Sequence, residues 1–538
     1  MRITTKVIQN NSLNNINTNK LLQDKLSQQM STEKKVNRPS DDPIVAIRAL
    51  RLRTNVNQIN QYYEKNVPDA ESWLEVTESA LSSMSDVVTD MIDQCIKGSN
   101  EDLTTEDRET ILTALKALRD EVYATGNSDY AGRYIFSGYR TDTPLTFEFG
   151  AEQLYTITEQ VTNGKIDKIT YVETGDILDV HDTNFSQMTN IKEQEVTQSE
   201  IHRIRLSYDN LTGDFKDADG NVITTASVKF TDANGNELKL DDGNGNKTVD
   251  IEYEDAMSVY DDPSPYSVIN DGNHQNSVIL VKETGELLLG ANVYEEFMSM
   301  QDDIATAANE GEIRIQYQKE HWNGNDLRPE HYFACETEKD GKTITYNGDY
   351  LLGISDEEKQ VIEYDVGLNQ RIRVNTTADE VFTHDINRDV EDMIKTMEDT
   401  VAMQKQVEEL KKLLEAEKLK NNTNNVEILE KQLAAAEKAF TFLNEKTQKM
   451  FEGGITKMQK HLDAVNFAVT ENGSRGQKLE LISNRLMSQQ TNFETLRSEN
   501  EDIDITEVAI KLSSAELTYS SALMATGKVL QNNLMNFI

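Results

Sequence analysis

Cysteine is nearly absent from this chain: only Cys95 and Cys335 occur in 538 residues. Two thiols cannot build a disulfide scaffold, and they show no metal-ligand spacing. Cys95 reads as a small buried hydrophobe. Proline is scarce, and all seven prolines lie at or before Pro329. Everything beyond Pro329 is free of the residue that breaks helices. The seven histidines (His181, His202, His274, His321, His331, His384 and His461) stand singly. His321 and His331 each follow a glutamate, but no second histidine stands four residues on, so zinc-protease chemistry lacks its ligands. There is no glycine-rich phosphate loop, and no Ser/His/Asp or Cys/His set is marked out by local context. Asp217-Ala218-Asp219-Gly220-Asn221 and Asp232-Ala233-Asn234-Gly235-Asn236 resemble calcium loops faintly. Neither has the sixth-position glycine and twelfth-position glutamate of an EF-hand, so hairpin turns are expected there. The expectation is no enzyme: no catalytic residue, no metal and no cofactor.

Positive charge is also in short supply. Fifty-four Lys and Arg face 94 Asp and Glu, for a formal net charge of −40. Such a balance disfavours nucleic acid, whose phosphates need a basic face. It equally disfavours an anionic membrane surface. No apolar stretch is long enough to span a bilayer. The first residues, Met1 to Asn11, lack the apolar core of a secretory signal. A cytosolic protein fits this reading, and so does one exported by a route that ignores such signals.

What the chain does have is two long heptad seams. The first runs through Val45, Ala49, Leu52, Val56, Ile59, Tyr63, Asn66, Ala70, Trp73, Thr77, Ala80, Met84, Val87 and Met91. Twelve of these fourteen positions are apolar in a chain that is 37% hydrophobic, where about 5 would be expected by chance. The second runs through Phe451, Ile455, Met458, Leu462, Val465, Val469, Asn472, Gly476, Leu479, Ile482, Leu486, Gln489, Phe493 and Leu496, with eleven apolar. A seam of this width is buried against another helix. The two seams are natural partners, which predicts a rod made from both ends of the chain. Its core would include Leu52, Val56, Ile59, Trp73 and Met84 from one end, and Leu462, Val465, Leu479, Ile482 and Leu486 from the other.

Residues 1–36 read as a weak helix. Six of the ten residues from Asn10 to Asn19 are asparagine, a poor helix former. The other end, 504–538, is a better helix, with Val508, Leu512, Ala515, Tyr519, Ala522, Thr526 and Val529 in four–three spacing. It closes on bare apolar residues, Leu534, Met535, Phe537 and Ile538, which would dock on something. Pro43 suits a first helical turn and Asp41 or Asp42 the N-cap. Pro68 predicts a kink in the long helix. A third helix starts near Thr105-Glu106-Asp107 and runs to about Asn127. From about Pro144 to Asp385 a period-two alternation appears, as in Ile313-Arg314-Ile315-Gln316-Tyr317. Turn dipeptides such as Asp242-Gly243 punctuate it, which predicts antiparallel hairpins. Asp261-Asp262-Pro263-Ser264-Pro265 would divide this region into two lobes, and a short helix is expected around Ala291–Ala308. Residues 404–447 read as an exposed helical hairpin broken at Asn421-Asn422-Thr423-Asn424-Asn425.

The ends carry more than a coiled-coil pattern. Leu26-Ser27 with Lys35-Val36-Asn37-Arg38-Pro39-Ser40-Asp41-Asp42-Pro43 resembles the N-terminal signature of the bacterial flagellin family. So do Asn66, Asp69-Ala70, Ser72-Trp73-Leu74, Thr77-Glu78 and Ala80-Leu81, then Asp107-Arg108-Glu109 and Gly132-Arg133-Tyr134-Ile135-Phe136-Ser137-Gly138. Asp502-Ile503-Asp504-Ile505-Thr506-Glu507-Val508-Ala509 and Leu517-Thr518-Tyr519, with Ala522-Leu523-Met524-Ala525-Thr526, resemble its C-terminal signature. The Arg-Pro-Ser-Asp-Asp-Pro form at 38–43 is more like the hook–filament junction branch, the hook-associated proteins, than like filament flagellin, which is the alternative. The long middle and the 404–447 hairpin depart from that branch.

The resemblance implies a structural role in the extracellular bacterial flagellum. It implies export through the flagellar secretion apparatus with no cleaved signal peptide and a cytosolic flagellar export chaperone. It implies copies of the chain in a ring between the first hook-associated protein and flagellin, with no nucleic acid and no membrane as partners. The expected fold is α+β and multidomain: a long antiparallel α-helical coiled-coil rod with an inserted antiparallel β-rich outer region. The expected parts are terminal helices at 1–42 and 500–538, disordered until assembly, and a rod from 43–143 and 385–499 carrying the 404–447 hairpin. The β lobes are expected at 144–265 and 266–384. The expected assembly interface comprises Leu13, Ile16, Leu22, Leu26, Val508, Leu512, Tyr519, Leu523, Leu530 and Leu534.

Overall fold

The computed structural model describes residues 5–213, 215–216, 222–224, 228–232, 236–242, 246–299, 313–339, 342–352 and 360–531. The run 217–221, positions 233–235 and the tail 532–538, with Leu534, lie outside the described residues. The α-helices are α1 (Thr5–Thr32), α2 (Pro43–Gln61), α3 (Val67–Gly98), α4 (Thr105–Gly126), α5 (Pro265–Ile269), α6 (Ala291–Ser299), α7 (Ala378–Val381), α8 (His384–Leu419), α9 (Thr423–Glu501) and α10 (Ile505–Gln531). With the mostly antiparallel strands between α4 and α7, the fold is α+β.

The chain divides into two compact units. The first comprises Met1–Glu71, Tyr364–Ile372 and Gly476–Ile538. Here α2 starts as its sequence dictates: Asp42 accepts from the backbone N–H of Ile44 and Val45, with Pro43 in the first turn. The carboxylate satisfies donors that an N-terminus leaves open. The C-terminal part of α9 packs against α2 in antiparallel sense. Asn500 Nδ2 donates to Val45 O at 3.2 Å, and Gln490 Nε2 to Asn60 Oδ1 at 3.1 Å and Glu64 Oε1 at 3.0 Å. Val56, Ile59, Val67, Ala70, Leu479, Ile482 and Leu486 are buried. Between α2 and α3, where Pro68 predicts a kink, the chain makes a π turn over Tyr62–Asn66. Proline has no N–H and crowds the carbonyl four residues back, so a wider turn relieves the contact. The strand pair around Tyr364–Ile372 is tied to this bundle by Asn66 Nδ2, which donates to Asp365 O at 2.7 Å, and by the Tyr364 hydroxyl on Asp69.

The second seam drifts by one residue in this unit. Gln489 and Leu496 face solvent, whereas Gln490, Phe493 and Arg497 are half-buried. A helix of 3.6 residues per turn falls behind a strict 3.5 repeat over several heptads, and here the stripe steps sideways after Leu486.

The second unit comprises Ser72–Glu363 and Arg373–Arg475. Trp73, Thr77, Met84, Val88 and Met91 of α3 are buried, as are Phe451, Met458 and Val465 of α9. Asn472, a polar residue on the seam, donates Nδ2 to Leu74 O at 3.0 Å. Ser85 donates to Asn466 Oδ1 at 3.2 Å. Gly98 lies so close to Phe451 that a Cβ would fall 2.2 Å from the ring. Cys95 is buried beside Met393, and burial pushes its thiol up to about 12. α4 begins with a reciprocal cap between Thr104 and Asp107. Its Arg108 is buried, donates Nη2 to Asn444 Oδ1 at 2.6 Å and lies over the Phe440 ring.

The β region does not split at 265. One five-stranded sheet has the order 342–346, 334–339, 151–161, 313–322, 229–231. The other has the order 252–253, 277–281, 286–289, 197–205, 166–173. Each draws strands from both sides of the expected boundary, which corrects the division into lobes at 144–265 and 266–384. Period-two alternation marks a strand but says nothing about its partner, and the core shared by both sheets selects the pairing. Tyr155, Ile157, Phe230, Tyr317 and Trp322 of the first sheet join Ile204, Leu287 and Leu289 of the second in one core with Phe297 of α6. The expectation of hairpins throughout fails at one place: Glu252–Tyr253 pairs with Ser277–Val281 in parallel. The intervening chain, which carries α5, is long enough for the crossover a parallel pair needs. Asp232 N donates to Asn236 O at 2.9 Å, and the hairpin turn expected between them falls on positions 233–235, outside the described residues.

The helical hairpin is larger and less exposed than 404–447 suggested. Its arms are α8 and the start of α9, and Met403, Val407, Leu410 and Leu414 face Leu429, Ala435, Ala436 and Ala439. A strap holding Ile177, Val180, Phe185 and Ile191 covers this seam. Gln406 Nε2 donates to Ile177 O at 3.0 Å and Val180 O at 2.8 Å, and Gln432 Nε2 to Phe185 O at 2.9 Å and Met188 O at 2.8 Å. Two glutamines thus serve carbonyls that the strap would otherwise bury unpaired.

Candidate functional site

The signature residues at the two ends meet within the first unit. Helix α1 ends at Thr32, and Glu33 takes a left-handed conformation with φ 56°. Its carbonyl then accepts from Ile503 N at 3.1 Å. Lys35 N donates to Glu501 O at 2.6 Å, and the Lys34 ammonium pairs with Asp502. Contact with Lys34 holds the Asp502 carboxyl below its usual range, its hydrogen bond being the largest cause. Arg53 clamps Glu501 through Nε and Nη2, both at 2.7 Å. Asp504 caps α10 by accepting from Thr506 N at 2.9 Å and Glu507 N at 3.1 Å. Thus Glu501 to Asp504 turns the chain from α9 into α10 while gripping the turn that leaves α1.

Beyond this joint, α1 and α10 pack side by side around a small core of Leu26, Val508 and Ala515, with Ile503 and Leu512 at its edge. The ten residues expected at an assembly interface fall into three groups. Leu26 and Val508 are buried inside the pair. Ile16, Leu512 and Tyr519 are half-buried, and Leu13, Leu22 and Leu523 are exposed. The side chain of Leu530 and all of Leu534 lie outside the described residues. Leu26 and Val508 pack inside the α1–α10 pair, because the four–three stripe of a helix turns to its nearest partner, here the helix from the other end.

The most exposed apolar residues described on these two helices lie outside the expected set. Leu21 is 71% exposed, Ile510 67%, Leu517 71% and Met524 66%. On α2, Ile44, Ile47 and Leu50 are also exposed. One signal in the sequence marks them: these helices carry apolar residues off the seam as well as on it, and a helix apolar on two faces has two neighbours to cover. Of the expected core positions, Val56, Ile59, Leu479, Ile482 and Leu486 are buried in the first unit, and Trp73, Met84 and Val465 in the second. Leu52 and Leu462 are half-buried.

Among the described residues, no cluster of three or more His, Cys, Asp or Glu could hold a metal ion, and no helix is long and apolar enough to cross a membrane. The buried histidines carry structural signatures. His331 Nε2 lies 3.3 Å from Pro144 O, and burial lowers its pKa to about 4. His384 sits among Tyr208, Tyr332 and Phe333, with its pKa lowered by burial to about 3.

Residues 3–141 match the family described as the bacterial flagellin N-terminal helical region. The chain is 34% identical over 143 residues to flagellar hook-associated protein 3 of Salmonella typhimurium, covering 26% of this chain and 45% of the relative. It is 34% identical over 152 residues to flagellar hook-associated protein 3 of Escherichia coli, covering 28% and 48%. The chain therefore spans about half the length of the curated relatives it matches. A solved structure of a putative flagellar hook-associated protein from Vibrio parahaemolyticus aligns with 86% of this chain and 100% of its own, at 13% identity and a TM-score of 0.36.

Proposed function

We propose that this chain, whose residues 3–141 match the bacterial flagellin N-terminal helical family, is a structural subunit of the flagellum, forming the ring at the hook–filament junction. The observation that carries the reading is the solvent-facing apolar row on the terminal helices, Leu21, Ile510, Leu517 and Met524. A lone protein in water rarely leaves so much apolar surface bare, and copies of the same chain in a ring would cover it. One side of the ring meets the first hook-associated protein and the other meets flagellin. The role is non-catalytic.

Export and order follow from the same reading. The chain leaves the cell through the flagellar secretion apparatus, with a cytosolic chaperone on its C-terminal part. Among the described residues the α1–α10 pair has a hydrophobic core of three buried side chains, whereas ordering a residue costs roughly 1–2 kcal/mol. The pair is therefore marginal in a monomer and is ordered fully by its neighbours in the ring.

Immunogold labelling of isolated flagella tests the reading. Label confined to the base of the filament supports it, and label along the whole filament supports a filament flagellin instead. Leu517→Asp with Met524→Asp should leave the thermal unfolding of the protein unchanged yet abolish filament growth. Normal swimming by that variant would sink the proposal.

A further inference from the structure

The first sixty residues run against the charge of the chain. They hold ten Lys and Arg against four Asp and Glu, within a chain of net charge −40. Several of these cations are already engaged: Lys34 pairs with Asp502 and Arg53 with Glu501. Arg48 and Arg51 are different. Both are exposed, and neither makes an ion pair among the described residues. They stand three residues apart on α2, a little under one helical turn, or about 4.5 Å of rise. Around them Ile44 is 67% exposed, Ile47 54% and Leu50 61%. The start of α2 therefore offers solvent an apolar face with two unpaired cations.

The start of α10 offers the converse. Asp504 and Glu507 are exposed and are also three residues apart. Asp504 caps its helix through Oδ1 alone. Among the described residues, the Glu507 carboxylate is paired with Lys511 four residues on, an exposed pair at 2.6 Å. Such surface pairs are weak and readily exchanged. Beside these carboxylates, Ile505 and Ile510 are exposed.

We propose that the basic, apolar face of α2 docks on the acidic, apolar start of α10 in a second copy of this chain, with Arg51 meeting Glu507 and Arg48 the free oxygen of Asp504. This rests on the junction reading and names the contact by which its copies join. The two surfaces differ, so the contact is heterologous; repeated by rotation, such a contact closes a ring where the rotation comes full circle and builds an open helix where it does not. Charge complementarity fixes which surfaces meet, and the flanking isoleucines and leucine supply the apolar area.

Charge reversal tests the pairing. Arg51→Glu and Glu507→Arg are each introduced into the full chain in its flagellated host, and the two are then combined. The readout is the amount of protein in sheared flagella, alongside the melting temperature of each purified variant. Each single reversal should lower incorporation by about tenfold or more without shifting the melting temperature, because like charges then face each other. The combined variant should return to the wild-type level. Wild-type incorporation by either single variant, or no recovery in the combined one, overturns the pairing. If a reversal lowers the melting temperature, Arg51→Cys with Glu507→Cys replaces it, and the proposal stands only if oxidation of concentrated protein yields disulfide-linked chains. That cross-link is read on purified protein, so it also separates this contact from the junction reading. Wild-type protein missing from sheared flagella sinks the junction reading, whereas absent cross-links sink the contact.

Discussion

Arg53 and Glu501, 448 positions apart in the chain, form a bidentate pair with both N–O distances at 2.7 Å. The Glu501 side chain is only 6% exposed, and Lys34 is its next nearest cation at 3.8 Å. Arg53→Met leaves a buried carboxylate without its fork of donors. The expected cost is about 1–3 kcal/mol, read from urea unfolding of the full chain. A change within about 0.5 kcal/mol, the range of ordinary surface substitutions, would mean the pair is ornamental.

Trp73 is fully buried on α3, with Tyr130 against its edge and the Arg133 guanidinium 5.0 Å from its ring centre. Trp73→Ala should destabilise the second unit by about 3–5 kcal/mol. The chain has two tryptophans. The other, Trp322, lies in the core between the sheets and remains as the fluorescence reporter. A loss below about 1 kcal/mol would contradict the burial.

Glycines on the long helices should respond with opposite signs. A Cβ on Gly98 would meet the Phe451 ring, so Gly98→Ala should cost about 1–3 kcal/mol. A Cβ on Gly473 would have nothing within 4 Å of it, so Gly473→Ala should stabilise by about 0.5–1 kcal/mol through reduced freedom of the unfolded chain. Melting temperatures of the two variants moving in the same direction would refute this.

Acid should unfold the second unit early. His331 and His384 are lowered by burial to about 4 and about 3, against about 6.5 when exposed. The unfolded chain therefore binds their protons first, and stability falls as pH drops from about 6.5 towards 4 and 3. Each histidine contributes up to about 1.4 kcal/mol per pH unit in its window. A second loss follows at lower pH. Arg203 and Arg205 hold the Asp392 carboxyl down at about 2 against the opposing effect of burial. Its stabilisation is present above about pH 4 and disappears as pH falls towards 2. Denaturant unfolding at pH 7, 5 and 4 checks the first window. His384→Gln should flatten it, and an unchanged slope would argue against a neutral buried imidazole.

The long helices were legible because their signal is periodic and local. Asp42 beside Pro43 marked the start of α2, and the asparagine run after Leu419 marked the turn between α8 and α9. The joint at Lys34, Glu501 and Asp502 was not legible as a joint. Only the neighbourhood was marked, since no pattern in a charged pair names a partner more than four hundred residues away. The hairpin strap was hidden for a related reason: Gln406 and Gln432 look like surface polar residues until the carbonyls of Ile177 and Phe185 arrive beside them. The outward residues Ile510, Leu517 and Met524 repeat every seven residues, but Val508 and Leu512 already complete the seam of α10 without them, so nothing in the pattern says what covers this second face.

By itself the sequence determined where helices and strands form, since periodicity, caps and prolines act within a few residues of chain. Tertiary structure alone decided which side of a terminal helix turns inward, which strands share a sheet, and where a seam steps aside. Those choices depend on contacts between distant residues, whose free energy appears only when the whole chain has closed around them.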